Sequence, residues 1–84
     1  MTFAALSTIH AILENERYKA EKVLELSRYN YYEEFDQKYE ELGSKARAEE
    51  AMIGRAVTTR YEDAKHDLDK IAQALEEFDA QDWR

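Results

Sequence analysis

Two groups of side chains in this 84-residue sequence have the spacing of metal ligands. Asp63 and His66 stand three positions apart with Glu62 beside them, and His10 and Glu14 stand four apart. Helical bundles hold metal ions with such carboxylate and imidazole groups when the side chains project inward. On a helical wheel, however, His66 points away from the apolar stripe of its segment, and His10 lies at the edge of its own. We therefore predict no metal site and no other cofactor.

Nucleophilic catalysis requires an activated side chain and a base that a third group holds in place. The chain has no cysteine, and its serines at positions 7, 27 and 44 fit a helix cap or an apolar seam. A phosphate-binding loop requires clustered glycines, whereas Gly43 and Gly54 lie eleven residues apart. The sequence therefore predicts a protein that is not an enzyme.

The charge of the chain excludes further classes of function. The formal net charge is −7, and phosphate backbones require clustered Lys and Arg, so we expect no binding to nucleic acid. No apolar run approaches the roughly 18 residues that span a bilayer. The apolar start, residues 1–13, contains no Lys or Arg, since the first is Arg17. We therefore expect neither a signal peptide nor a membrane segment. A cytoplasmic protein is the resulting prediction.

The near absence of helix-breaking residues predicts an all-α chain. There is no proline, and the only two glycines are Gly43 and Gly54; both residue types disfavour the helix interior. We predict a first helix over about 2–42, a turn at 43–44 and a second helix over about 44–80, together forming one domain across residues 1–84.

Residues suited to helix ends stand at the expected boundaries. Thr2 and Ser44 are of the type that caps a helix N-terminus, and Gly43 suits the left-handed position that follows a helix. Pairs of opposite charge four residues apart support the first helix, Arg17 with Glu21 and Glu34 with Lys38.

Apolar residues recur at steps of three and four in both halves, which places them on one face of each helix. Folded back at Gly43, the two stripes align in antiparallel order, with Phe35 near Ile53 and Ile9 near Phe78, in a coiled-coil-like hairpin. A break near Asn30 or Gly54 would give a three-helix arrangement instead. The stripe of the first half is Leu6, Ile9, Leu13, Ala20, Leu24, Ser27, Tyr31, Phe35 and Leu42; that of the second is Ile53, Val57, Tyr61, Ala64, Leu68, Ile71, Leu75 and Phe78.

The first helix is apolar over a wider arc than one seam requires. Ile12, Val23 and Leu26 lie beside the main stripe, and Tyr29 and Tyr32 lie on its other side. Exposed apolar surface of this kind marks contact sites, and two-fold dimers are the commonest oligomers. We therefore predict a protein interface at these five residues, a homodimer that forms a four-helix bundle, and a structural or protein-interaction role.

An alternative function comes from the charge of the second helix. Its carboxylates could neutralise a basic protein surface, as in a small antitoxin-like inhibitor or regulator. The acidic residues are Glu62, Asp63, Asp67, Asp69, Glu76, Glu77, Asp79 and Asp82, against only Lys65 and Lys70.

Overall fold

The computed structural model describes residues 2–81, and all regular structure within that range is helical. Helix α1 runs Phe3–Leu42, α2 runs Lys45–Met52 and α3 runs Ala56–Ala80. The all-α hairpin is confirmed, in the three-helix form with its break near Gly54. Asn30 interrupts nothing, because α1 continues through it. None of these helices is long and apolar enough to cross a membrane.

The predicted caps lie at both ends of α1 and at the start of α2. The Thr2 side chain accepts a hydrogen bond from the backbone N–H of Ala5 at 3.2 Å. Gly43 has the left-handed φ of 66°, and its N–H donates to the Tyr39 carbonyl at 2.8 Å. Ser44 then accepts from the Arg47 N–H and starts α2. Because each end finds its own cap, α1 and α2 separate sharply at 43–44.

A second turn, at Ile53 and Gly54, interrupts the single helix predicted over 44–80. Ile53 has φ −62° and ψ 129° and Gly54 has φ 80°, the angles of a type II turn. The Arg55 N–H closes this turn on the Met52 carbonyl at 3.3 Å, and the Thr58 hydroxyl donates to the same oxygen. The continuous helix was wrong because Gly54 takes a positive φ that a helix interior does not contain.

Beyond this turn, α3 runs back along α1 in antiparallel order. Near the two turns, the ring centroids of Tyr31 and Tyr61 are 5.2 Å apart. At the opposite end the ring of Phe78 lies 5.6 Å from that of His10, the residue next to the predicted neighbour Ile9. The two arms thus meet over most of their length.

Two residues predicted to lie in the apolar stripes are exposed instead. Ile53 is 76% exposed and Leu42 is 40% exposed, so the predicted layer of Phe35 with Ile53 does not form. Both residues flank the short helix α2, where the chain leaves the line of the hairpin. The predicted pair of Glu34 with Lys38 does not form. Glu34 pairs with Arg55 at this turn, and Lys38 pairs with Glu41 at 3.4 Å.

The core of the hairpin is thin. Among the described residues only Ala48, Met52, Ala64 and Leu75 are buried, and the two alanines allow helices to approach closely. The molecule measures 59 × 17 × 15 Å with a radius of gyration of 18.1 Å, against about 12 Å for a compact domain of this length. Most large apolar side chains of α1 therefore lie at or near the surface.

Candidate protein-interaction surface

All five residues predicted to form an interface lie on α1, and all five are exposed. Their exposed fractions range from 48% for Tyr32 to 65% for Tyr29. Ile12, Val23 and Leu26 fall between these limits. The interface itself stays a prediction, and none of its five residues is buried in the described part of the chain.

The structure divides these residues between two surfaces. Val23 lines a groove of about 350 Å³ between α1 and α3, together with Ala20, Ala64 and Ile71. Ile12 lies on the same flank of α1, three helical turns closer to the N-terminus. The groove is edged by charged residues of both helices, namely Glu16, Lys19, Asp67 and Lys70.

Leu26, Tyr29 and Tyr32 line neighbouring hollows whose walls are formed by α1 alone. A shallow depression of about 320 Å³ is lined by Leu26 and Tyr29, and a second, of about 470 Å³, by Tyr29 and Tyr32. Tyr29 therefore separates two adjoining hollows. We name this surface the Tyr29 face and define it by Lys22, Leu26, Tyr29, Tyr32 and Asp36.

Tyr32 and Tyr29 differ in how firmly they are held. The Tyr32 ring packs edge-on against Tyr31 at 5.0 Å, and also meets Phe35 at 6.0 Å and Tyr61 of α3 at 6.2 Å. Such contacts add about 0.5–1.5 kcal/mol each beyond area burial. Tyr29 has no ring contact with another described residue, so its ring stands free on the surface.

Tyr31 is held as a neutral phenol within the aromatic cluster that it forms with Tyr32, Phe35 and Tyr61. Burial raises the pKa of Tyr31 above its ordinary value of 10.0, and the nearby Tyr32, Glu49, Tyr61 and Glu62 raise it further. The physical cause is that a tyrosinate would lose hydration and face negative neighbours. At neutral pH Tyr31 is therefore an uncharged member of this cluster.

The cations of α1 are mostly engaged within the helix. Arg17 pairs with Glu14 at 3.0 Å and with the predicted partner Glu21 at 3.8 Å. Lys22 makes a long contact of 3.9 Å with Glu25 and lies over the Tyr18 ring, 5.4 Å from its centroid. By contrast, several charges around the Tyr29 face form no ion pair with another described residue: Arg28, Glu33, Asp36 and Glu40.

The carboxylates of α3 form an exposed acidic surface. Within residues 2–81, no cation pairs with Glu62, Asp69 or Glu76, which lie seven residues apart along one line of the helix. Lys65, the nearest cation in sequence to Glu62, lies over the Tyr61 ring at 4.2 Å instead. Exposed carboxylates without counter-ions produce a negative potential along this side of the hairpin.

The histidines take different positions. His66 is exposed on α3, whereas His10 Nε2 lies 3.3 Å from an Asp79 carboxylate oxygen and 3.7 Å from one of Glu14. The described residues contain no group of His, Cys, Asp and Glu able to hold a metal ion. The contacts of His10 with Asp79 and Phe78 join α1 and α3 at the end of the hairpin opposite the turns.

A comparison with models of known families, with curated proteins and with solved structures finds no similar protein. Any function for this chain must therefore be argued from its own surfaces.

Sequence reasoning overlooked the charged members of the Tyr29 face. Lys22, Tyr29 and Asp36 lie seven residues apart, a spacing that puts them on one line of a helix. Apolar periodicity alone does not single out this line, because two of its three residues are charged.

Proposed function

We propose that this protein is a non-enzymatic, cytoplasmic protein-interaction module that self-associates through α1. The observation that supports it is the row of large apolar side chains left open on that helix. Two hairpins joined by a two-fold axis would complete a four-helix bundle from α1 and α3 of each copy.

The surface area supports a partner of substantial size. The chain exposes 6534 Å², whereas a compact monomer of 9.9 kDa exposes about 5,200 Å². The excess of about 1,300 Å² is larger than the roughly 800 Å² that each partner contributes to a standard interface. A second copy offers the same unpaired apolar row and so is the simplest partner of matching chemistry.

Sedimentation equilibrium at tens of micromolar tests this proposal. We expect a dimer for the natural chain and a monomer for Leu26→Glu, with helicity retained in circular dichroism. Losing the burial of one such side chain costs about 1.5–3 kcal/mol in each copy, so the dissociation constant should rise at least about 100-fold.

The matched control is His66→Glu, which adds the same charge at an exposed position of α3. It should leave the dimer intact. A natural chain that stays monomeric throughout this concentration range would contradict self-association.

A second candidate function is supported by the acidic surface of α3. We infer that its carboxylates without ion pairs could bind a basic protein, as in an antitoxin-like inhibitor. Binding to such a partner should weaken steeply with added salt. The triple variant Glu62→Gln, Asp69→Gln, Glu76→Gln should weaken it too, while Glu16→Gln on α1 should not; salt-independent binding would exclude this function.

A further inference from the structure

Charge is divided along α1 on either side of Tyr29. Residues 17–28 carry four cations and two carboxylates, whereas residues 30–41 carry one cation and five carboxylates. The helix is continuous through this boundary. Its two halves therefore have opposite net charge, and the exposed Tyr29 ring stands at the point where the sign changes.

This division favours one orientation for two copies of the chain. A parallel pairing in register would place each half against its equal and so bring like charges together. An antiparallel pairing about Tyr29 places the basic half of each copy against the acidic half of the other. Complementary charges of this kind set orientation and exclude the wrong arrangement.

The side chains of the Tyr29 face agree with the same axis. With a two-fold axis at Tyr29, Lys22 of one copy lies opposite Asp36 of the second copy, and Leu26 lies opposite Tyr32. Lys22 can reach a second copy because its contacts with Glu25 and with the Tyr18 ring are long, at 3.9 Å and 5.4 Å, and its side chain is 60% exposed. Asp36 forms no ion pair with another described residue.

The shape of the surface matches as well. The two hollows that adjoin Tyr29 are lined by Leu26 on one side and by Tyr32 on the other. A two-fold axis at Tyr29 brings the Tyr32 ring of the second copy to the Leu26 hollow, and the converse. Arg28 lies in the larger hollow with Glu25 and Glu33, where it supplies a cation to the carboxylates that the axis brings together.

We propose that two copies pair α1 against α1 in antiparallel order, with the two-fold axis at Tyr29 and reciprocal Lys22–Asp36 ion pairs. This inference rests on the proposed self-association and adds its surface and orientation.

Disulfide cross-linking tests the axis, because the natural chain has no cysteine. Tyr29→Cys places two thiols at the axis and should cross-link rapidly under mild oxidation. Tyr18→Cys is the matched control, since Tyr18 and Tyr29 are similarly exposed at 59% and 65%. Its two thiols would stand about 33 Å apart at 1.5 Å per residue and should not cross-link with each other.

A mixture separates the orientations further. Tyr18→Cys and Tyr39→Cys chains should form a mixed disulfide, because each position lies near the other across the axis, while neither forms one with itself. If sedimentation shows a dimer but Tyr18→Cys cross-links to itself, the pairing is parallel and this inference is overturned while self-association stands. A monomer would instead overturn both.

Charge reversal tests the ion pairs. Lys22→Asp and Asp36→Lys should each raise the dissociation constant about tenfold, because each dimer loses two pairs. The double variant restores opposite charges and should return to within about threefold of the natural chain. A double variant that dissociates as readily as either single one would overturn the pairing.

Discussion

Replacing Gly54 with alanine tests the turn between α2 and α3. Gly54 has φ 80° in the turn between α2 and α3, and a Cβ built there meets nothing within 4 Å. The substitution therefore changes the backbone preference alone, with no clash and no new contact. Its effect reports the conformation of residue 54 directly.

The sign of the effect depends on whether the helix is broken. A non-glycine residue in a left-handed conformation costs about 1–2 kcal/mol, and the lower entropy of the unfolded alanine chain returns about 0.4–1 kcal/mol. We expect a net loss of about 1 kcal/mol. In an unbroken helix over 44–80, the same change would instead gain about 1 kcal/mol.

Urea unfolding followed at 222 nm measures this difference at one fixed protein concentration, because self-association shifts apparent stability. When the same samples are unfolded by heating instead, the expected fall in melting temperature is about 4–8 °C. Gly43→Ala is the matched control, since Gly43 has φ 66° and equally open space, and it should lose a similar amount. A synthetic chain with D-alanine at 54 should be at least as stable as the natural one. Alanine at 54 that stabilises while alanine at 43 destabilises would refute the reasoning.

Two further predictions concern packing and pH. Met52→Ala should lower the free energy of unfolding by about 2–5 kcal/mol, because Met52 is 1% exposed. Ile53→Ala should lower it by less than about 0.5 kcal/mol, because Ile53 is 76% exposed. Urea unfolding compares the two variants, and equal losses would contradict the burial of Met52. Because the pKa of Tyr31 is raised above 10.0, the folded state keeps its proton longer, so the stability from this group is full below about pH 10 and is lost as pH rises further. Tyr31→Phe should therefore reduce the loss of stability that urea unfolding measures as pH rises above about 10.

The local signals of this fold were readable because each acts within a few residues. Thr2, Gly43 and Ser44 end or begin helices through hydrogen bonds to their immediate neighbours. Gly54 was ambiguous for a physical reason: a lone glycine costs a helix only about 1 kcal/mol. The Met52 carbonyl, which accepts from both Arg55 and Thr58, stabilises the turn through contacts that no single-residue preference contains.

The candidate surface was predictable only in part. Periodicity identified the exposure of Leu26, Tyr29 and Tyr32, since a wide apolar arc cannot be covered by one partner helix. It did not show that Val23 lies in a different groove, beside Ala64. Nor did it pair Glu34 with Arg55, because the second turn had to be placed before Arg55 could be assigned a neighbour.

Both turns lie at the same end of the hairpin, and this bears on where its arms separate first. Buried Ala48 and Met52 lie near that end, whereas the other end is held by buried Leu75 and by the contacts of His10 with Phe78 and Asp79. Separating the arms at the turns first would enclose a long loop, which is entropically costly. We therefore expect separation to begin at the His10 end and to proceed inward, so the outermost helical turns should exchange with solvent before the Tyr29 face does.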